Sequence, residues 1–459
     1  MNARVLRIEL KRSAAPWAGG VVLAAALAFL YLIPGLWWNG TARWTAQWTS
    51  LAMWTRSLLI LLWPLAVGFG ALQGLRDSRS GMTELLTTTP RPARHRAAMP
   101  AGATALTLAS AFALLVLVGG VQVLAGTAYT HLGWLPVSLV GALSLVAGAL
   151  LGMGVGRALP SPLTPPALAV AAFVFTNLLR VSDSPAVPEA GVPNPVSLLS
   201  PAVAQVRETL LTLSVPVHLG QTVWLLGMAA TGFALLVAAT PRTRLLALTP
   251  VLAGAAIALL VLPADARRTY VVDKAAAAMV CDGPVCVAKT HQARLADIAG
   301  PGKKALRLLR DALGDRAPVS IRESTALRAQ GATPERSRTA VLVDFDDGIV
   351  ADAEGERLTR ALVALGMAPT CAPRSDREGG MPDEIAAQGV AAGWVLGGLE
   401  PLRGTEHRVR DQLALARPVW KELRALPRAE QQSRITAMHA AAVTCEDHPL
   451  QVLAEGGSR

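Results

Sequence analysis

Four cysteines, Cys281, Cys286, Cys371 and Cys445, are the residues whose placement most directly implies chemistry. None lies before residue 281, and "CDGPVC" sets a turn-forming Asp-Gly between the first two. Of the three possible pairings, Cys281–Cys286 with Cys371–Cys445 is the easiest to close, and such bridges need an oxidising compartment. Four reduced thiols in a cytoplasmic tail is the competing reading. The seven histidines, at 95, 131, 218, 291, 407, 439 and 448, show no metal-ligand spacing, and no H-E-x-x-H occurs. Each reads as an isolated surface or interfacial side chain. "AGPGKKA" at 299–305 has the glycines and lysines of a phosphate loop. In the G-x-x-x-x-G-K-[ST] spacing, however, Asp297 would replace the first Gly and Lys304 the final Ser or Thr.

"VLVDFDDGIV" at 341–350 resembles the first motif of haloacid-dehalogenase-like phosphatases, an apolar strand ending in Asp-x-Asp. The resemblance implies Asp344 as nucleophile and Asp346 as acid/base. That chemistry also needs a downstream Lys and an acidic pair for magnesium. The roughly 110 residues that follow hold no second strand carrying such a pair. A solvated turn at a strand end is the preferred reading.

The elements around these residues are membrane-like. Hydrophobic residues make up 52% of the 459 and charged ones 16%, well below the roughly 25% charged content of soluble domains. Residues 1–263 hold 16 Lys/Arg against 6 Asp/Glu, while 264–459 hold 27 against 26. The net charge of +11 therefore belongs to the apolar half, which excludes a uniformly basic nucleic-acid binder. Apolar segments at about 17–35, 57–75, 103–125, 137–156, 163–179, 220–240 and 245–262 predict seven transmembrane helices, the fifth marginal in length and open to a re-entrant reading. With a cytoplasmic N-terminus, the inner loops hold Arg4, Arg7, Lys11, Arg12, Arg76, Arg79, Arg91, Arg94, Arg96, Arg157, Arg242 and Arg244. The outer loops before residue 264 hold Arg43, Arg56, Arg180 and Arg207. An odd number of spans then places residues 264–459 outside the cell membrane, in agreement with the cysteines.

The expected organisation has three parts. Residues 1–16 are expected as a basic cytoplasmic interfacial segment or simply a basic topology anchor, 17–263 as a polytopic α-helical membrane domain, and 264–459 as an extracytoplasmic α+β domain. Trp37, Trp38, Trp44, Trp48 and Trp54 are expected as an outer-interface belt. Gly148, Gly152 and Gly156 recur every four residues and predict close helix packing. The stretch before the sixth span should hold one or two short helices, the last near 201–213. In the tail, strands are expected around "CDGPVC", at "APVSIRES" and at "TAVLVDFDD". Helices are expected through "KKALRLLRDALG", with Leu306, Leu309 and Leu313 on one face, and over 353–366, 383–397, 406–425 and 428–444. No Asp, Glu or Lys lies inside any span, so an ion-coupled carrier lacks its usual relay.

Between the second and third spans, residues 76–100 run "RDSRSGMTELLTTTPRPARHRAAMP". Gly81 is placed to begin a short helix with Glu84 in its first turn. Met82, Leu85 and Leu86 then share a face, and Thr-Thr-Thr-Pro stops it. A short apolar face on a charged inner loop fits a helix-in-groove contact or an amphipathic helix on the lipid surface. The pattern resembles the coupling segment of type 2 ABC exporter permeases, through Arg76, Arg79, Gly81, Glu84, Leu85, Leu86, Thr89, Pro90, Arg91 and Arg94. The resemblance covers about residues 1–240. It implies a non-enzymatic permease without a cofactor of its own, served by a separate ABC ATPase that binds ATP and magnesium. It also implies a second permease copy, as homo- or heterodimer, in the lipid bilayer. This chain departs from the family's usual six spans by its seventh segment and its external domain. The opening of that domain resembles part of a gluzincin aminopeptidase scaffold, which without the zinc motif implies a non-catalytic relation. A membrane-anchored receptor or assembly factor, or a tethered hydrolase using Asp344 and Asp346, are the competing functions.

Overall fold

The computed structural model describes residues 15–38, 43–76, 92–126, 129–181, 193–203, 210–325, 334–345, 347–351, 353–372, 381–402, 406–446 and 448–455. Two compact units emerge: residues up to Gly126 with Thr130–Val271, and Thr127–Tyr129 with Val272–Arg459.

The first unit is helical. Its elements are α1 (Ala15–Leu32), α2 (Trp48–Ser57), α3 (Leu59–Gly74), α4 (Ala93–Gly126), α5 (Trp134–Ala158), α6 (Thr164–Val181), α7 (Asn194–Ser197), α8 (Val215–Val237), α9 (Pro241–Leu246) and α10 (Thr249–Val261). Helices α1, α4, α5 and α8, and α9 with α10, are long and apolar enough to cross a membrane. Helices α2 and α3 make a sixth candidate if taken together, bent by 52°. The fifth expected segment forms a shorter apolar helix over Thr164–Leu179. The helix expected near 201–213 is not formed as such: Leu211–Leu213 is a strand, β1, paired with β2 (Tyr270–Val272). Residues 204–209 lie outside the described residues.

Glycine positions set the packing of this unit. In α5, a Cβ on Gly152 or Gly156 would collide with the backbone carbonyls of Val67 and Ala71, and one on Gly148 would strike the Trp63 ring. Gly70 and Gly74 of α3 return the contact against the Ala149 and Met153 carbonyls. On its other flank, Gly154 of α5 meets Gly232 of α8. Between apolar helices, close backbone approach supplies the attraction that water would otherwise drive, and only small residues permit it. Helices α3, α5 and α8 thus interlock, with α5 in the middle.

Trp44 is fully buried, in edge contact with Tyr31 at 5.4 Å. Trp48 stacks on Trp134 at 4.8 Å, and Trp37 meets Trp54 edge-on at 5.9 Å. These rings pack on one another in edge and stacked geometry, while Trp38 stays exposed.

The second unit contains a four-stranded sheet in the order β3 (Met279–Asp282), β4 (Val285–Ala288), β5 (Ser320–Glu323), β6 (Ala340–Val343). Strands β3 and β4 are antiparallel; β4, β5 and β6 run parallel. Gly283, at φ +63°, opens the two-residue β3–β4 turn with Pro284, so the turn is Gly-Pro rather than the expected Asp-Gly. Helix α11 (Leu295–Leu313) links β4 to β5, as a parallel pair requires. It buries Leu306, Leu309 and Leu313 together, as their spacing predicts. The "AGPGKKA" stretch lies inside α11 and forms no loop, and Lys304 pairs with Glu356 at 2.6 Å. The remaining helices are α12 (Gly348–Ala351), α13 (Gly355–Met367), α14 (Pro382–Leu396), α15 (Glu406–Ala425), α16 (Arg428–Thr444) and α17 (Pro449–Glu455). They close one core around Leu309, Val341, Leu362, Val390, Leu423 and Met438. Bridges Cys281–Cys286 and Cys371–Cys445 are both present.

Candidate functional site

Contacts fix which ends of the helices lie together. Gly74 at the end of α3 meets Met153, and Gly154 meets Gly232, so the C-terminal halves of α3, α5 and α8 run side by side. Ala101, near the start of α4, packs with Met153 and Leu236. The start of α4 therefore joins the ends of the other three. Exposed arginines collect at this end: Arg76 after α3, Arg94 on α4, Arg157 on α5, and Arg242 and Arg244 on α9. The Arg244 Nη1 donates to the Ala158 carbonyl at 3.0 Å, at the negative end of α5 where a cation is favourable. Of the expected coupling residues, Arg76 and Arg94 frame this basic end. Arg79, Met82, Glu84, Leu85, Leu86 and Arg91 lie outside the described residues.

The opposite end holds a feature that the sequence did not reveal. Arg56 belongs to α2 and is fully buried, not carried in an outer loop. Its Nε and Nη2 both donate to the Pro201 carbonyl, at 3.1 and 2.9 Å. Nη2 also donates to Gln221 Oε1 at 2.9 Å, and Nη1 to the Val137 carbonyl at 3.3 Å. Gln221 in turn donates through Nε2 to the carbonyls of Leu198 and Ser200, at 3.0 and 3.2 Å. Gly141 makes the room: a Cβ there would sit 3.0 Å from Arg56 Cδ. A buried guanidinium is costly unless its fork of donors is met. Here the acceptors are two backbone carbonyls and one side-chain amide. One side chain so ties α2, α5, α8 and the 193–203 segment. The sequence signal, a lone Arg beside a Trp at the edge of an apolar run, is the same as that of an ordinary loop anchor.

In the second unit, His291 corrects the expectation of isolated histidines. Its Nδ1 lies 2.7 Å from Glu323 Oε1, both side chains being buried. Glu323 Oε2 accepts the Ala288 backbone N–H at 2.7 Å. This pair pins β5 to β4. Asp344 follows β6 directly, while Asp346 lies outside the described residues. Asp347 accepts the Ile349 N–H at 3.0 Å, as the cap of α12. Among the described residues, no three His, Cys, Asp or Glu side chains gather as a metal-ligand set. A small cleft runs along β6, lined by Arg336, Arg338, Leu342, Asp344, Thr370 and His439 among others.

Comparison of the chain with protein families, curated proteins and solved structures gave no match in any of the three.

Proposed function

We propose that this chain is the membrane-spanning permease subunit of an ATP-driven exporter of the type 2 ABC class. A separate ATPase chain would hydrolyse ATP, and a second permease copy would complete the pathway. The observation that carries the reading is the basic end of the helical unit, where Arg76 and Arg94 flank the 77–91 segment whose sequence resembles the family's coupling segment. Arginines gathered at one end of apolar helices mark the cytoplasmic side. The disulfides of the C-terminal unit fit an oxidising, extracytoplasmic location.

The mechanism follows from the packing. Closure of the ATPase would displace the 76–96 segment and with it the end of α3. Because α3, α5 and α8 interlock backbone to backbone, they would move as one body rather than bend separately. Arg56 would hold that body to the 193–203 segment at the far end.

Leu85→Asp tests the reading. A carboxylate forced into an apolar groove costs several kcal/mol, enough to break an interface of ordinary affinity. The variant should insert into membranes normally and lose co-purification with the partner ATPase. Unchanged association would remove the coupling assignment. A membrane-anchored receptor is the second reading, favoured by the cleft along β6.

A further inference from the structure

Among the described residues, strand β6 is the last of its sheet, and it lines the cleft. In a parallel ladder, alternate residues turn both backbone groups to the same neighbour. The Thr339 carbonyl accepts from Ser320 N at 3.3 Å and the Val343 carbonyl from Ser324 N at 2.9 Å, so the odd-numbered residues of β6 serve β5. Ala340 and Leu342 therefore point their N–H and C=O outward, while the Asp344 carbonyl is taken by the Asp347 N–H at 3.1 Å. The Ala340 N–H is taken by Ser337 Oγ at 3.1 Å. Among the described residues, nothing pairs with the N–H or C=O of Leu342. An unpaired edge amide and carbonyl beside a cleft form a template for an added strand.

Charge along the edge sets the direction of that strand. Arg336 and Arg338, both exposed, stand where β6 begins. We propose that the C-terminal unit binds a short extended peptide with a free C-terminus, added antiparallel to β6. Its α-carboxylate meets Arg336 and Arg338, and its central residue exchanges backbone hydrogen bonds with Leu342. Parallel addition would set the ammonium against the arginines. The run from Arg338 to Asp344 covers roughly 20 Å at about 3.3 Å per residue, which fits about five or six residues. Along this run, Val341, Leu342 and Leu365 give the lining its apolar part. This inference rests on the C-terminal unit alone and stands or falls independently of the permease reading.

Calorimetry on the full-length protein in detergent, with the pentapeptide Thr-Val-Leu-Val-Thr as probe, tests it. Saturable binding is expected with a free C-terminus. Amidation of the C-terminus should weaken it at least tenfold, and N-methylation of the central Leu should do the same. The Arg336→Ala/Arg338→Ala double variant should bind the free and amidated peptides equally. Leu342→Pro should abolish binding while leaving the fold intact, because the lost N–H faces away from β5. Should that variant fail to fold, the N-methylated peptide decides. Absence of binding by the free peptide overturns the proposal. Undiminished binding of the amidated or N-methylated form overturns it equally. Dimerisation that Leu342→Pro breaks, without any peptide binding, would overturn it in favour of a second copy of this chain at the edge.

Discussion

Arg56 and Gln221, 165 residues apart in sequence, meet through a 2.9 Å hydrogen bond inside the helical unit. Each then reaches the 193–203 segment, Arg56 at the Pro201 carbonyl and Gln221 at Leu198 and Ser200. Gln221→Leu should therefore remove one acceptor from a buried cation and strand two carbonyls, at a cost of about 1–3 kcal/mol. Arg56→Lys should also destabilise, since an ammonium lacks the planar fork that serves Pro201, Val137 and Gln221 together. Melting of the detergent-purified protein, followed by loss of the monodisperse peak, reads both. A Gln221→Leu variant that melts with the native chain would show the network to be idle.

Substitution of the interlocking glycines gives a graded series. Gly152→Ala places a methyl against the Val67 carbonyl and should force α3 and α5 apart, costing about 1–3 kcal/mol in a close-packed interior. Gly20→Ala, with nothing within 4 Å of the new Cβ, should be neutral. Equal melting of the two variants would contradict the α3–α5 contact.

The two bridges should differ in effect. Cys371–Cys445 spans 74 residues and Cys281–Cys286 only 5. Loss of the longer should cost about 2–5 kcal/mol, and loss of the shorter distinctly less. Limited proteolysis of Cys371→Ser and Cys281→Ser ranks them, and a non-reducing peptide map checks both pairings directly.

His439 predicts a pH dependence in the second unit. Burial pushes its imidazole below the ordinary histidine value, and Arg316 adds to the shift, against the opposing hydrogen bond to the Met367 carbonyl at 2.9 Å. The unfolded chain, titrating near the usual value of about 6.5, then binds the proton more readily than the folded one. Stability from this group is full above that pH and is lost as pH falls through it toward the depressed folded value. Urea unfolding at pH 7.5 and 5.5 should show the drop, and His439→Gln should reduce it. An equal drop in that variant would place the dependence elsewhere.

What the sequence made legible was periodic and local. Apolar runs located the helices that α4, α5 and α8 form, the spacing of Leu306, Leu309 and Leu313 fixed the buried face of α11, and short alternations found β4, β5 and β6. Features built on distant backbone left no mark. The acceptors of Arg56 are carbonyls, which every residue carries, so neither Pro201 nor Val137 could be picked out. Residues 211–213 look helical in isolation and become a strand through a partner near residue 271. The edge position of β6 depends on strand order, which no single segment encodes. Glu323, an acidic residue on a four-residue strand, gave no hint of His291.

The central place of α5 bears on how the protein is made. The chain emerges from the ribosome N-terminus first, so α3 is already present when α5 arrives and its Gly148–Gly152–Gly156 flank is filled at once. The Gly154 flank has no partner until residues 215–237 follow. A nascent chain between those points carries an open, backbone-lined furrow on its most buried helix, and any other membrane segment with a small-residue stripe would fit it. Pauses or truncations before α8 are thus the stage at which this protein is most exposed to mispairing in the bilayer.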